Sequence, residues 1–287
     1  MNVSVWVTVS DLVATRHTPM EMAIGLFDKK QKMFHALPHD EIFHSLKKSG
    51  VDGMELLIPL YTSDKNIKEV KEIVRKNTIP ILSIHQSLSH MSTISLYEIQ
   101  RLCQIANIFS ASVIVLHSGT LGKKLLDSDF IHSLKKLQKK HAVTFGIENM
   151  SQMPLPAASY TYKGEEFSSL LKKTGLSITF DTTHLGQTGG NIIPFYMTNK
   201  EKIVNIHLSD YKRTWLNAYL LFQDHTHMPL GKGELPIESL LKLLKKDCYK
   251  GLITMEINAH LTQLCESAKM IKGYIQTHTY QNQSQLR

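Results

Sequence analysis

Six short apolar stretches of this chain carry a metal-type side chain at or near their ends. His85 ends "LSIH", His117 ends "IVLH", Glu148 ends "FGIE", Asp181 ends "ITFD", His207 ends "VNIH" and Glu256 closes "LITME". A charged group at the end of a buried strand carries a large desolvation penalty unless it is paired. Taken singly, each could be a hydrogen-bonded core histidine or a solvated loop acid. Taken together, several carboxylates and histidines in one place require compensating positive charge. Imidazole nitrogen and carboxylate oxygen, with no cysteine in the set, suit zinc, manganese, iron or cobalt. The residues therefore point to a divalent metal site. Two more ligand candidates lie just past strand ends: His184, three residues after Asp181, and His227 in "DHTHMPLGKG", with His225 two residues earlier.

The spacing says which elements hold these groups. His85, His117, Glu148 and Asp181 follow one another at intervals of 32, 31 and 33 residues, about one strand–helix unit each. Apolar, β-branched runs over residues 3–10, 51–59, 79–86, 112–118, 143–149, 176–182, 203–209 and 252–258 read as parallel strands buried on both faces. Amphipathic stretches over 40–48, 63–76, 95–109, 128–140, 165–173, 237–246 and 259–277 read as helices, several opening on Ser or Asp caps. Eight strands alternating with helices predict an α/β fold, a single (β/α)8 TIM barrel, over residues 1–278 with a polar tail over 279–287. A doubly wound open sheet is the alternative. The ligand candidates then share the C-terminal mouth of the barrel, where barrel active sites sit. Side chains three apart on a strand point to opposite faces. Asp181 and His184 can therefore both face that mouth only if the strand ends between them.

Composition excludes other classes. The chain has 287 residues, 42% of them apolar and 20% charged, and a net charge of +8. A basic balance can signal nucleic acid, but many lysines fall at the ends of the expected helices, where they complement the helix dipole. Three widely spaced cysteines offer no disulfide framework or zinc-finger pattern. No apolar run approaches the roughly 18–20 residues that span a bilayer, and the N-terminus lacks signal-peptide features; the expectation is a cytoplasmic protein with no membrane association. No glycine fingerprint supports dinucleotide binding, and "GTLGK" at 119–123 fails the spacing of a phosphate loop.

With its strongest motifs in "HQS", "VLHSG", "IENM", "FDTTH", "IHLSD" and "HTHMPLGKGELP", the chain from Val51 to Glu256 resembles the xylose-isomerase-like TIM-barrel superfamily. That superfamily contains sugar and sugar-phosphate isomerases and epimerases and also endonuclease IV-type AP endonucleases. In the isomerase branch the resemblance implies one divalent metal on Glu148, Asp181, His207 and Glu256. Glu148 and Glu256 would then be the catalytic pair, moving a proton through a metal-stabilised enediolate. In the endonuclease branch it implies three zinc ions. His85, His117 and Glu148 match the first; Glu148, Asp181, His207 and Glu256 the second; His184 and His227 the third. The remaining ligand of the third is an aspartate in that branch, and His225 stands in its place. The segment after Glu148 also departs from the "ENTAGQG" of that branch. The reading favours an isomerase or epimerase of a small sugar or sugar phosphate with one to three zinc, manganese or cobalt ions. The alternatives are a zinc-dependent AP endonuclease acting on nucleic acid and a non-catalytic metal-binding barrel. Lys232, in a glycine stretch that is either a simple turn or one whose backbone N–H groups meet a phosphate, and Lys212 and Trp215 after the seventh run are candidate substrate contacts. A homodimer follows from family habit.

Overall fold

The computed structural model describes residues 1–15, 29–87, 94–151, 164–213 and 225–276. Eight parallel strands close into a barrel in chain order: β1 (Asn2–Thr8), β2 (Gly53–Ile58), β3 (Ile81–Gln86), β4 (Val113–His117), β5 (Thr144–Glu148), β6 (Ser177–Asp181), β7 (Ile203–Leu208) and β8 (Leu252–Met255). Closure excludes the open sheet. Val5 of β1 lies opposite Met54 of β2 on one side and Met255 of β8 on the other. The expected polar tail lies outside the described residues; the last described helix is Leu261–Gln276.

The helices between strands follow from their patterns and caps. Helix Ile237–Lys246 buries Ile237, Leu240, Leu241 and Leu244, the i, i+3, i+4, i+7 stripe of an amphipathic helix. Each such burial stabilises by about 1.5–3 kcal/mol. At the start of helix Leu96–Phe109, Ser95 and Glu98 satisfy each other's backbone N–H groups in a capping box. The Asp127 carboxylate caps Ser128–His141 by accepting from the N–H groups of Asp129 and Phe130. Two helices that the sequence did not announce, Lys29–Ala36 and Ile192–Asn199, also cover the barrel. No helix among the described residues is long and apolar enough to cross a membrane.

The strands are shorter than the apolar runs at their C-terminal ends, where the run gives way to a short helix. Helices Val9–Leu12, Ser118–Leu121 and Thr182–Gln187 start immediately after β1, β4 and β6. His117 and Asp181 are therefore each the last residue of a strand and the residue before a helix. Glu256 stands one residue past β8.

Candidate metal centre

Side chains two apart on a strand share a face, and on six strands of this barrel an inward position is followed two residues later by a site residue. The pairs are Ser4 and Trp6, Ser83 and His85, Gly146 and Glu148, Thr179 and Asp181, Asn205 and His207, Thr254 and Glu256. The interior thus has a lower and an upper polar level. On the lower one, the Glu55 carboxylate from β2 accepts at Oε2 from Ser83 Oγ (2.7 Å) and Asn205 Nδ2 (2.8 Å). Strands β2 and β7 are not neighbours, so the second of these bonds crosses the barrel. Thr254 Oγ1 lies 2.8 Å from Ser4 Oγ and 3.0 Å from Asn205 Oδ1.

On the upper level the ligand candidates meet. His207 Nδ1 lies 2.6 Å from Glu256 Oε2, 3.4 Å from Glu148 Oε1 and 3.9 Å from Asp181 Oδ2. All four of these atoms are buried and none has a hydrogen-bond partner. Buried polar atoms are almost always satisfied; four orphans converging on one point, three of them carboxylate oxygens, mark a candidate cation site. Such a set of oxygens and one imidazole nitrogen, with no sulfur, fits a hard or borderline divalent ion. The Nε2 of His207 lies 2.9 Å from Glu55 Oε1, an ion-pair contact without the alignment of a regular hydrogen bond. Glu55 thus stands behind His207 as a carboxylate stands behind many metal-binding imidazoles.

Three further clusters adjoin the central one: Glu55, His85 and His207 form the first, behind His207, and two others flank the centre. His85 Nε2 lies 3.0 Å from His117 Nε2, and both approach Glu148 Oε2, at 3.2 and 3.3 Å. On the other side Asp181, His184 and His227 form a trio, with the two imidazole rings 5.3 Å apart and perpendicular. β6 ends at Asp181, which caps the following helix by accepting from the His184 N–H, and this turn brings both side chains to the mouth. His184 Nδ1 faces the Asn149 carbonyl (3.2 Å) and Glu148 Oε1 (3.2 Å). His227 Nδ1 faces the Glu256 carbonyl (3.1 Å), and its backbone takes the left-handed φ of 47°, a conformation that costs a non-glycine residue about 1–3 kcal/mol.

Neighbouring charges set the protonation of these groups against a common background of burial. Burial lowers His207, but Glu55, Glu256 and Glu148 hold it well above an ordinary imidazole. Burial also opposes the charge on His184, yet Asp181 and Glu148 raise it to about 10. Burial raises Glu148, and His207, His184 and His85 bring it far below the usual carboxylate range; Glu256 falls for the same reason, against His207 and His227. Asp181 is raised, because burial outweighs its histidines. His117 is pushed down to about 3 by burial. Between them, the imidazolium charges of His184 and His207 stand where a metal's charge would.

The structure therefore brings together eight of the nine ligand candidates. His225 joins none of the clusters found among the described residues; it is half-buried, and its carbonyl accepts from the Lys212 N–H. Lys212 and Lys232 are exposed, and Trp215 lies outside the described residues. Of the two readings of the Gly231–Gly233 turn, a simple turn and a phosphate contact, the structure agrees with the first. The N–H groups of Gly231 and Gly233 donate to Asp210 Oδ2 at 3.0 and 2.9 Å, and Leu235 N–H donates to Oδ1 at 3.1 Å. A Cβ on Gly233 would sit 2.3 Å from Asp210 Oδ1 and 2.5 Å from the Tyr211 carbonyl, so glycine is required there by close approach. Sequence reasoning missed Glu55 and Trp6. A carboxylate inside the wholly apolar run "MELLI" was a visible signal for the first. Nothing in the sequence announces that Trp6 Nε1 reaches His85.

Comparison with known proteins agrees with the fold. The family model of xylose isomerase-like TIM barrels matches residues 43–274. An uncharacterized protein of Methanocaldococcus jannaschii is 24% identical over 237 residues, covering 75% of this chain and 77% of that protein. A D-tagatose 3-epimerase-like protein superposes with a TM-score of 0.62 at 19% identity, over 96% of this chain and 97% of its own. The 3-keto-D-glucoside 4-epimerase from E. coli superposes with a TM-score of 0.62 at 15% identity, over 95% and 99%. At such identities the superpositions establish the fold alone, while the family match spans most of the chain. The chain belongs to the xylose isomerase-like TIM barrel family.

Proposed function

We propose that this protein is a metal-dependent isomerase or epimerase of a small sugar or sugar phosphate, with Glu148, Asp181, His207 and Glu256 as the metal ligands. The observation that carries the reading is the convergence of four buried, unpartnered ligand atoms on the barrel axis. A divalent cation held there supplies Lewis-acid stabilisation of the oxyanion that develops when a proton leaves the carbon beside a carbonyl. The chain's own groups do the rest. Glu148 and Glu256 come from different strands, so one carboxylate can take the proton and the other return it. Among the four ligands Glu256 alone is measurably open, its side chain 13% exposed against 1% or less for the others, and it is the carboxylate a substrate meets first. Glu55 holds His207 from behind, and the Asp210-bound loop carries His227 against the Glu256 carbonyl. The epimerase names of two fold neighbours support a carbohydrate substrate.

The second reading, a zinc-dependent AP endonuclease, draws on the two flanking clusters, whose ligands match those of a three-ion site. Against it stands His225, in place of the expected aspartate and outside the clusters. Solvent deuterium exchange into a panel of keto- and aldo-sugars tests the proposal. Label enters at the carbon beside the carbonyl with the native protein and not with Glu148→Gln or Glu256→Gln. Absence of exchange across the panel, together with cleavage of an abasic duplex, would replace the first reading by the second.

A further inference from the structure

Trp6 Nε1 lies 2.8 Å from His85 Nδ1. An indole N–H is a donor only, so Nδ1 must present its lone pair. The ring is then neutral and carries its proton on Nε2, the atom that faces His117 Nε2 and Glu148 Oε2. A nitrogen that binds a metal must offer a lone pair instead. To serve as a ligand through Nε2, His85 would have to move its proton to Nδ1, setting two N–H groups head to head across 2.8 Å. The alternative acceptor for an Nδ1 proton, Glu55 Oε1, is 3.4 Å away and already stands against His207. Trp6 is itself fixed in place. Lys30, 1% exposed, donates from Nζ to the Trp6 carbonyl at 2.7 Å and sits 3.4 Å above the indole ring. A cation on that face draws density from the ring and strengthens its N–H as a donor.

The other histidines of the mouth contrast with this. His184 and His227 both turn Nδ1 toward backbone carbonyls, which take a proton there, so Nε2 is the atom that can give up its proton to a metal; the Ser209 hydroxyl, 3.3 Å from His227 Nδ1, can accept as well as donate. His85 Nδ1 instead faces an indole N–H, which can only donate. We infer that Trp6 is the residue that sets the number of metal ions: it holds His85 as a hydrogen-bond donor to Glu148 and keeps the His85–His117–Glu148 cluster free of metal. The inference rests on the proposed metal site and goes further in assigning which of the adjoining clusters stays empty. His85 then serves the centre by orienting Glu148 from its Oε2 side, leaving Oε1 to the central cluster.

Metal counting tests it without any assay of activity. The native protein, Trp6→Phe and His85→Asn are each dialysed against Zn2+ and then Co2+, and bound metal per chain is measured by elemental analysis alongside Co2+ titration followed by visible absorption. The expected result is the same whole number for the native protein and His85→Asn, and one ion more for Trp6→Phe. Loss of an ion in His85→Asn, or no gain in a folded Trp6→Phe, overturns the role of Trp6 and leaves the central site standing. If Trp6→Phe does not fold, the His85→Asn count decides. Zero metal in the native protein overturns the underlying reading and the inference with it.

Discussion

Ser4, Glu55, Ser83, Asn205 and Thr254 on one level of the barrel, and Glu148, Asp181, His207 and Glu256 two residues further along the strands, are drawn from similar polar side chains and are almost equally buried. Their bonding differs. Glu55 Oε2 has three donors, and the hydroxyl and amide groups around it bond one another. On this level Glu55 Oε1, which faces His207, and Thr179 Oγ1 are without a hydrogen bond, and neither belongs to the central set. One level up, each of the four ligand residues keeps an atom with no partner, and those atoms face one another. A polar network that satisfies itself holds a fold; one whose free atoms converge is shaped for something not in the chain. Burial and polarity are therefore poor guides to function inside a barrel, and incomplete pairing is a better one.

The largest expected effect sits on the upper level. Glu148→Gln and Glu256→Gln each remove a ligand charge and a proton carrier, and exchange activity should fall by about 10²–10⁴-fold, the usual worth of a general acid or base. Bound metal should fall with it. The metal-free protein should lose stability too, because each carboxylate supports the raised His207, but exchange and metal binding should suffer more than the denaturation midpoint. A variant that keeps native exchange and metal content would remove its carboxylate from the ligand set.

Glu55→Leu should show the opposite balance. It leaves His207 facing only the upper carboxylates and deprives Ser83 and Asn205 of their acceptor. Breaking a buried, paired charge costs about 3–5 kcal/mol, read as a lower urea midpoint in the metal-free protein. Because Glu55 also backs a ligand, metal affinity should weaken by about 10–100-fold. Unchanged affinity would confine Glu55 to the lower level.

Metal addition and removal come next. A cation that binds only the folded chain stabilises it by about 2.7 kcal/mol at a hundredfold excess over Kd, and EDTA should reverse the thermal shift. The sign of the pH dependence follows from the raised histidines. His184, at about 10, and His207 contribute stability to the metal-free protein that is fully present below the unfolded value near 6.5. That stability is lost as pH rises toward their folded values. Metal must displace those protons, so binding releases protons at neutral pH and tightens as pH rises. Calorimetry in two buffers of different ionisation enthalpy measures the release. Zero release would mean that His184 and His207 carry no extra proton for the metal to displace.

Much of this was legible in the sequence, for reasons that also explain the gaps. Buried parallel strands leave continuous apolar runs, and a ligand ending such a run stands out, as His117 and Asp181 do. The turn after Asp181 could be inferred because two ligands three apart cannot share a strand face. Glu55 was passed over because it sits inside a run rather than at its end. Helix Ile192–Asn199 was passed over because "IIPFYMTN" has no polar stripe and carries a proline, which its first turn tolerates. The Gly231–Gly233 turn could be read as a simple turn or as a phosphate contact, and the sequence could not show which, because the Asp210 carboxylate that takes its N–H groups approaches through the fold, about 20 residues away in sequence. Trp6 and His85 are 79 residues apart, and only barrel closure makes them neighbours.

The smallest effect is the most discriminating about the lower level. Thr254→Val keeps the shape of the side chain and removes one hydroxyl that bonds Ser4 and Asn205 and, at 3.4 Å, Glu55 Oε2. Losing a buried hydrogen bond of this kind costs about 1 kcal/mol, up to roughly 3 if the partners stay unsatisfied. Ser4 Oγ and Asn205 Oδ1 would both lose that contact, so the upper part of that range is expected in urea denaturation. Thr254 lies two residues before Glu256 and on the same strand, yet it touches none of the four converging atoms. Metal stoichiometry and affinity should therefore match the native protein. If Thr254→Val instead loosens metal binding as much as Glu55→Leu does, the lower network is tuning the ligands as a unit. Glu55 would then be only its most charged member.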